Sequence, residues 1–359
     1  MLQFEIVRNS SPMSEAVRAK AFENLGFGTL FSDHMSVIQW STDKGWHSAR
    51  VTARAPFSLD PASSVFHYAQ EIFEGMKAYR AADGQIVLFR PEENARRFNT
   101  SARRLAMPEL PEEDFIAAIE KLIGLDSAWV PGGEGSLYLR PFMFASEAFL
   151  GVRPSREYIF CVIASPVGPY FKGGAKPVRI WVSQDYTRAA VGGTGAAKCG
   201  GNYAASLLAQ AEATTHGCDQ VLFLDATERK WIEELGGMNI FFVFKDGSII
   251  TPPLGTILPG ITRNSIMTLA NDSNIAVHER AYSFGELQAD LSSDRLVEAF
   301  ACGTAAVVAG IGELTHGGGS LKIGTGEIGP VTKLLREKLI GIQRKELTDK
   351  HGWLRRVPA

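Results

Sequence analysis

The sequence predicts a mixed α/β chain, of the α+β kind, folded as two domains. Three observations predict it. At 359 residues the chain is longer than one hydrophobic core commonly supports and suits two. Strand-like and helix-like runs mix without the regular strand–helix–strand alternation of a parallel sheet. The segment PVGPYFKGGAKP, Pro166–Pro177, is rich in Pro and Gly, has no period, and breaks the texture mid-chain. The expected organisation is an N-terminal α/β domain over 1–165, an interdomain loop over 166–178, and a C-terminal α/β domain over 179–359.

The elements follow in order. MSVIQW and SARVTARA alternate apolar and polar residues around the turn-like STDKGWH and predict a β-hairpin. MKAYR, the turn AADG and QIVLFR predict a second. Pro91 opens a helix, PEENARRFNTSARRLA, with acids in its first turn. PEEDFIAAIEKLIGL is an amphipathic helix, and SLYLRPFMFAS and YIFCVIASPVG are strands. Beyond the break come the strand VRIWVSQ and the helix NYAASLLAQAEATTHG, with Gly217 as its C-cap. Next are the strands QVLFLD and RKWIE and a hairpin about Asp246-Gly247. ITRNSIMTLANDS and PVTKLLREKLIGIQRKEL are helices.

Composition excludes several classes. Hydrophobic residues at 45% and charged residues at 21% suit a soluble globular chain. A net charge of −2 leaves no basic footprint for nucleic acid. The start, MLQFEIVRNSSPMSEAVRAKAFENLG, has no basic stretch followed by an apolar run, so no signal peptide is expected. No apolar segment approaches the ~20 residues of a membrane span. Cys161, Cys199, Cys218 and Cys302 show no CxxC spacing and point to a reducing compartment, so a cytoplasmic enzyme is expected. The histidines show no metal-ligand spacing, and no metal is expected.

The most informative stretch is GGTGAAKCGGNYAAS, Gly192–Ser206, where Lys198 stands among five glycines and several alanines. The ordinary reading of such a lysine is a surface loop. Against it, the loop lies between a buried-type strand and an apolar helix, with Asn202 and Tyr203 just downstream. Glycines also let a backbone approach something flat and bulky. A lysine in a dry site loses proton affinity and becomes a nucleophile able to form a Schiff base. The matching flat partner is pyridoxal 5′-phosphate.

That cofactor asks for more parts. Its pyridine nitrogen needs an acid, and KWIEELGGMNIFFV offers Glu233 and Glu234, which alternation sends to opposite faces so that one points inward. Its phosphate needs amides or cations. LPGITRNS starts a helix whose first amides, at Ile261 and Thr262, form an anion site. The turn CGTAA offers further amides and the Thr304 hydroxyl. Arg90, at the end of LFRP, could close the charge balance; alone it reads as a surface cation.

Taken together and in chain order, FGTLFSDHM, FEGMKAYR, LFRPEENARR, LYLRPF, PVGPYFKGG, AAKCGGNYAAS, EELGGMNIFFV, LPGITRNS, CGTAA and the ending HGW resemble the branched-chain amino acid aminotransferases. These are fold-type IV pyridoxal-phosphate enzymes, and the resemblance spans about Phe27 to Trp353. It implies an active site between the two domains, with the C-terminal domain carrying the cofactor lysine. It implies Lys198 as the Schiff-base lysine, Tyr203 on the cofactor's phenolic oxygen and Glu234 on its pyridine nitrogen. Arg90, Ile261, Thr262 and Thr304 would hold the phosphate, with Arg188 a supporting cation. Phe27, Tyr68, Tyr138 and Tyr170 would line the side-chain pocket, and Arg140 would receive the distal carboxylate of glutamate. The amides of Thr304 and Ala305 would take the α-carboxylate. A homodimer is implied, with the loop near Leu150-Gly151-Val152 reaching the neighbouring site.

Two departures stand out. Ala306 and Ala309 occupy the positions of the CxxC that follows the same turn in the mammalian mitochondrial member, which excludes that thiol switch. Gly237 replaces a threonine of the mammalian form, so one cofactor contact is lost and the pattern looks bacterial. The implied activity is ping-pong transfer of an amino group between L-leucine, L-isoleucine or L-valine and 2-oxoglutarate. D-amino acid aminotransferase and aminodeoxychorismate lyase are rivals on the same fold. A nicotinamide oxidoreductase is a rival of another class, because Gly324–Gly329 matches GxGxxG, although no second strand with an acid follows it. A non-catalytic binding protein on this scaffold, with Lys198 idle, is the third.

Overall fold

A computed structural model describes residues 1–168 and 176–358. The expected pocket residue Tyr170 and most of the expected interdomain loop lie outside the described residues. The chain forms two compact units: Met1–Tyr170 with Ala197–Gly200 and Gly341–Ala359, and Phe171–Ala196 with Gly201–Ile340.

The elements run β1 (Glu5–Ile6), α1 (Glu15–Phe22), β2 (His34–Ser41), β3 (Gly45–Ala53), α2 (Ser64–Tyr68), β4 (Glu71–Phe73), β5 (Met76–Arg80), β6 (Ile86–Phe89), α3 (Pro91–Arg104), α4 (Glu112–Leu125), β7 (Ser136–Ala145) and β8 (Glu157–Val167). Then follow β9 (Val178–Ser183), α5 (Gly200–Thr215), β10 (Gln220–Leu224), β11 (Ile232–Leu235), β12 (Asn239–Phe244), β13 (Ile249–Thr251), α6 (Ile261–Asn271), β14 (Val277–Glu279), α7 (Phe284–Ser292), β15 (Leu296–Gly303), β16 (Val307–His316), β17 (Gly319–Lys322), α8 (Pro330–Gln343) and β18 (Leu354–Arg356).

The first unit is built on a sheet ordered β1-β3-β2-β8-β7-β5-β6-β18, with β4 added against β7. The pairings are antiparallel except β1 with β3. Alternation sends Ile38, Ala78, Leu137, Leu139 and Phe160 into the core shared with α3 and α4. Phe98, Phe115 and Phe160 meet there as a triad, with centroids 5.3, 5.5 and 5.7 Å apart. All three rings are fully enclosed. Phe115→Ala is therefore expected to cost about 3–5 kcal/mol, read as a lowered urea midpoint at unchanged slope.

The second unit's sheet is ordered β11-β10-β9-β16-β15-β12-β13-β14, with β17 against β16. It mixes parallel pairs (β9 with β10 and β16, β13 with β14) with antiparallel ones. Phe241 and Phe300 are directly paired across β12 and β15 and stack at 5.0 Å. Tyr282 packs on Phe242 and gives its hydroxyl proton to Asp290 at 3.0 Å.

Two details differ from a single cut at the Pro/Gly-rich stretch. Residues 197–200 and 341–359 group with the first unit, not with the C-terminal half. The cause is long-range hydrogen bonding invisible to local pattern: β18 pairs with β6, and the lysine tetrapeptide is stitched to β4, as described below. The helix α7 has no counterpart among the expected elements, although Ser283 and Glu286 form a capping box that marks its start.

Candidate active site

The lysine loop owes its shape to the first unit. Phe73 donates its backbone N–H to the Lys198 carbonyl at 2.9 Å, and Lys198 donates its own to the Ser101 hydroxyl at 2.9 Å. Gly200 donates to the Glu71 carboxylate. A Cβ on Gly200 would sit 2.0 Å from that oxygen, so a larger residue there would push the Glu71 carboxylate off this hydrogen bond. Ala197 and Cys199 fill core space on either side. The small residues of the loop thus allow close backbone approach beside Lys198.

Lys198 is half-buried, and its amine lies 4.7 Å from the centre of the Phe73 ring. Burial, then the Arg97 guanidinium and to a smaller degree Arg140, lower its proton affinity to about 8, against the opposing pull of Glu74 and Tyr138. Glu74 is fully buried and gripped by Arg97 through two hydrogen bonds, at 2.7 and 2.8 Å. Asn94 adds a third at 2.8 Å. Burial alone would raise the Glu74 carboxyl, but the charge and hydrogen bonds of Arg97, with Lys198 and Asn94, hold it below the usual carboxylate range.

The aromatic wall is in the same unit. Arg140 donates to the Tyr138 hydroxyl at 3.0 Å, and its guanidinium lies over the rings of Phe73 (4.7 Å) and Tyr138 (5.4 Å). Among the described residues its Nε is buried without a hydrogen-bond partner. Phe27 meets Tyr138 edge-on at 5.0 Å. Gly75 makes room for this wall, since a Cβ there would be 2.3 Å from the Tyr138 oxygen. Tyr68 stands apart from these contacts: it is exposed and gives its hydroxyl proton to the Leu150 carbonyl. Arg90 caps α3 from a left-handed backbone conformation (φ 51°), with its guanidinium 5.1 Å over Trp353. It is half-buried, not the surface cation its isolated sequence context suggests.

The second unit gathers the remaining acids and amides. Glu234, on β11, is buried and ion-paired to Arg188 at 2.7 Å. It also accepts from the Leu258 N–H at 2.8 Å and from Asn239 at 3.2 Å. Glu233 is buried as well, hydrogen-bonded to the Thr256 hydroxyl, and burial raises its carboxyl above the usual range. Alternation thus does not leave one glutamate in water: both reach the segment before Gly260. Gly260 caps α6, whose first residues are Ile261 and Thr262, and a Cβ at Gly260 would strike the Asn239 amide oxygen at 2.0 Å. Thr304 and Ala305 lie in the β15–β16 turn, and a Cβ on Gly237 would lie 3.8 Å from the Tyr203 ring.

The GxGxxG match resolves here too. Gly324–Gly329 does join β17 to α8. The first turn of that helix is already capped: Glu298 accepts from the Val331 and Thr332 N–H groups at 3.1 and 2.9 Å and from the Thr332 hydroxyl at 2.7 Å. A carboxylate in the anion position leaves no seat for a pyrophosphate.

Residues that sequence reasoning missed are Glu71, Glu74, Asn94, Arg97, Ser101 and Asn239. The signal for three of them lay in α3, where Asn94, Arg97 and Ser101 recur at helical spacing beside Ala95, Phe98 and Ala102. They form a polar stripe on the buried face.

Each unit carries parts that suit pyridoxal phosphate: the first an amine of lowered proton affinity, the second a buried carboxylate fixed by an arginine and a glycine-led helix start. The class IV amino-transferase family model matches residues 71–314. The chain belongs to the class IV aminotransferases. This class IV aminotransferase is 54% identical to the branched-chain-amino-acid aminotransferase of Mycolicibacterium smegmatis, over 99% of this chain and 98% of that one. Among solved structures, the branched-chain amino acid aminotransferase from Escherichia coli is 30% identical, covering 91% of this chain and 99% of its own, with a TM-score of 0.73. A T.th. branched-chain amino acid aminotransferase with pyridoxamine 5′-phosphate is 29% identical, covering 89% and 98%, with a TM-score of 0.74. The fold is therefore that of the fold-type IV aminotransferases.

Proposed function

We propose that this enzyme moves an amino group reversibly between L-leucine, L-isoleucine or L-valine and 2-oxoglutarate, with pyridoxal 5′-phosphate held at Lys198. The observation that carries the assignment is the Lys198 amine, fixed through both backbone groups and lowered in proton affinity to about 8. It supports a residue that becomes a neutral amine near pH 8, well below an ordinary lysine.

When bound, the cofactor supplies an aldehyde and an electron-poor ring that accepts the electron pair left at the substrate's Cα. The residues do the rest. Lys198 holds the cofactor, then takes and returns the Cα proton at Nζ. Glu234, kept in place by Arg188, Asn239 and the Leu258 amide, pairs with the pyridine nitrogen. Tyr203 meets the phenolic oxygen. Arg90, the amides of Ile261 and Thr262, and Thr304 take the phosphate, while Thr304 and Ala305 take the substrate's α-carboxylate. Phe27 and Tyr138, with Tyr170, receive the side chain, and Tyr68 stands apart from that wall. Burying a leucine-sized group there is worth about 1.5–3 kcal/mol. Arg140 receives the glutamate carboxylate.

The test is reduction of the full-length protein with borohydride, followed by peptide mass spectrometry. The cofactor mass is expected on the peptide bearing Lys198, and L-leucine added first is expected to remove it. A label on another lysine, or none, overturns the assignment. A pH prediction accompanies it. Only the neutral amine reacts, so capture of free pyridoxal phosphate by the stripped protein should accelerate about tenfold per pH unit up to about 8, then level off. An unperturbed lysine would keep accelerating up to about pH 10.

We also infer a cytoplasmic homodimer in which the loop at Leu150-Gly151-Val152 meets its partner. Among the described residues no helix is long and apolar enough to cross a membrane. Leu150 and Val152 are exposed apolar side chains, and Tyr68 gives its hydroxyl proton to the Leu150 carbonyl, which supports a covered surface. Light scattering should give twice the chain mass, and Val152→Asp should lower it.

A further inference from the structure

We propose that Trp353, in the hook formed by residues 349–357, is a positioning residue whose ring holds the Arg90 guanidinium in place for the phosphate of pyridoxal 5′-phosphate. The inference rests on the reading of Arg90 as a phosphate ligand given above.

The backbone of Arg90 is held against its own preference. A residue before a proline is normally pushed to extended backbone, yet Arg90, followed by Pro91, is left-handed at φ 51° and ψ 46°. A residue other than glycine or asparagine stays there only when its surroundings fix it, and such places cluster at functional sites. The hook supplies the fixing. The Trp353 carbonyl accepts the Arg90 N–H at 2.7 Å, and β18 pairs with β6 so that Leu354 stands opposite Phe89. The Asp349 carboxylate closes the hook by accepting from the N–H groups of His351 and Leu354 at 3.1 and 2.8 Å. Arg355 ties it to two helices, donating to Glu92 of α3 at 3.0 Å and to Glu120 of α4 at 2.7 Å.

On this frame the Arg90 guanidinium lies 5.1 Å over the Trp353 ring. Phe89 meets the same indole edge-on at 5.5 Å, and the His351 ring stacks on it at 4.5 Å with the planes 24° apart. The indole is therefore braced by its neighbours. Arg90 and Trp353 are both half-buried, where attraction between a cation and a ring exceeds its value in open water. The Glu93 carboxylate stands 3.9 Å from the guanidinium, too far for a hydrogen bond, so it adds charge without direction. Unlike a carboxylate, an aromatic ring holds a guanidinium without neutralising it, which keeps the charge for an anion. A tryptophan serving only as packing would have no tie to the phosphate of the cofactor, and the two roles separate by experiment.

The experiment uses full-length protein stripped of cofactor. Ultrafiltration compares its binding of pyridoxal 5′-phosphate with its binding of pyridoxal, which lacks the phosphate. Arg90→Met should weaken pyridoxal phosphate about tenfold or more and pyridoxal less than about twofold. Trp353→Leu should weaken pyridoxal phosphate about five- to thirtyfold, again with pyridoxal unchanged. Trp353→Phe keeps an aromatic face and should recover most of that loss. Added to Arg90→Met, Trp353→Leu should cost nothing further. If Trp353→Leu does not fold, fluorinated tryptophans placed at 353 by nonsense suppression keep the shape and drain the ring's negative face. Pyridoxal phosphate affinity should then fall stepwise with the number of fluorines. Equal losses for pyridoxal phosphate and pyridoxal make Trp353 a packing residue and overturn the proposal. So do full affinity in folded Trp353→Leu, additive losses in the double variant, or a flat fluorine series. Unchanged pyridoxal phosphate binding in Arg90→Met would instead overturn the reading of Arg90 itself, and the proposal with it.

Discussion

Lys198→Ala should reduce amino-group exchange between L-leucine and 2-oxoglutarate by about 10⁴-fold or more while leaving the fold intact. Two functions are lost together. On the proposed assignment the chain loses its covalent hold on the cofactor, and it loses the base that carries the Cα proton, a role worth about 10²–10⁴-fold by itself. Structural damage should be small. The bonds that shape the loop use the backbone of residue 198, not its side chain: Phe73 to the carbonyl, and the N–H to Ser101. Alanine keeps both. Removing a half-buried amine of lowered proton affinity also removes a desolvated charge, so thermal stability should hold or rise slightly. The measurement is single-turnover conversion of L-leucine at saturating pyridoxal phosphate, with near-ultraviolet circular dichroism as the fold control. A variant that keeps more than about a hundredth of wild-type rate would remove Lys198 from the centre of the chemistry.

The reason this residue was legible, while its supporting cast was not, is physical. Five glycines around one lysine are a local composition, and close backbone approach is a local requirement. The structure supplies the approach at Gly200 against Glu71, and at Gly195, where a Cβ would meet the Thr256 carbonyl at 1.9 Å. The helix from Pro91, the Asp246-Gly247 hairpin and the helix after Gly260 follow from equally local turn and cap chemistry. Glu74 and Arg97 are of another kind. They are 23 residues apart, and each alone reads as a solvated charge on a strand end or a helix face. Only the pairing of β4 and β5 with β7, and the packing of α3 on that sheet, bring them together. The two adjacent glutamates of β11 show the same limit. Strand alternation separates Glu233 from Glu234, but the distant residues Thr256 and Leu258 bury both.

Arg140→Met should slow the half-reaction with L-glutamate by about 10²- to 10³-fold while changing that with L-leucine by less than about fivefold. A pocket that serves both substrates must accept an apolar chain and a carboxylate at the same wall. Burying a carboxylate beside an arginine and then removing the arginine costs about 2–5 kcal/mol, because the charge stays buried and unpaired. A leucine side chain needs no such partner, and methionine preserves most of the apolar stem of arginine. The geometry suits this division. The Arg140 guanidinium lies over Phe73 and Tyr138, reaches the Tyr138 hydroxyl at 3.0 Å, and among the described residues keeps its Nε buried without a partner. Arg140 also contributes to lowering the proton affinity of Lys198, so its loss makes the amine slightly harder to deprotonate. That effect falls on the lysine and slows both amino acids by the same factor. It divides out of the ratio of the two half-reactions, leaving the ratio to report the carboxylate alone. Equal losses with the two substrates would show that Arg140 acts only through Lys198, and the glutamate carboxylate would then have to be met by another cation.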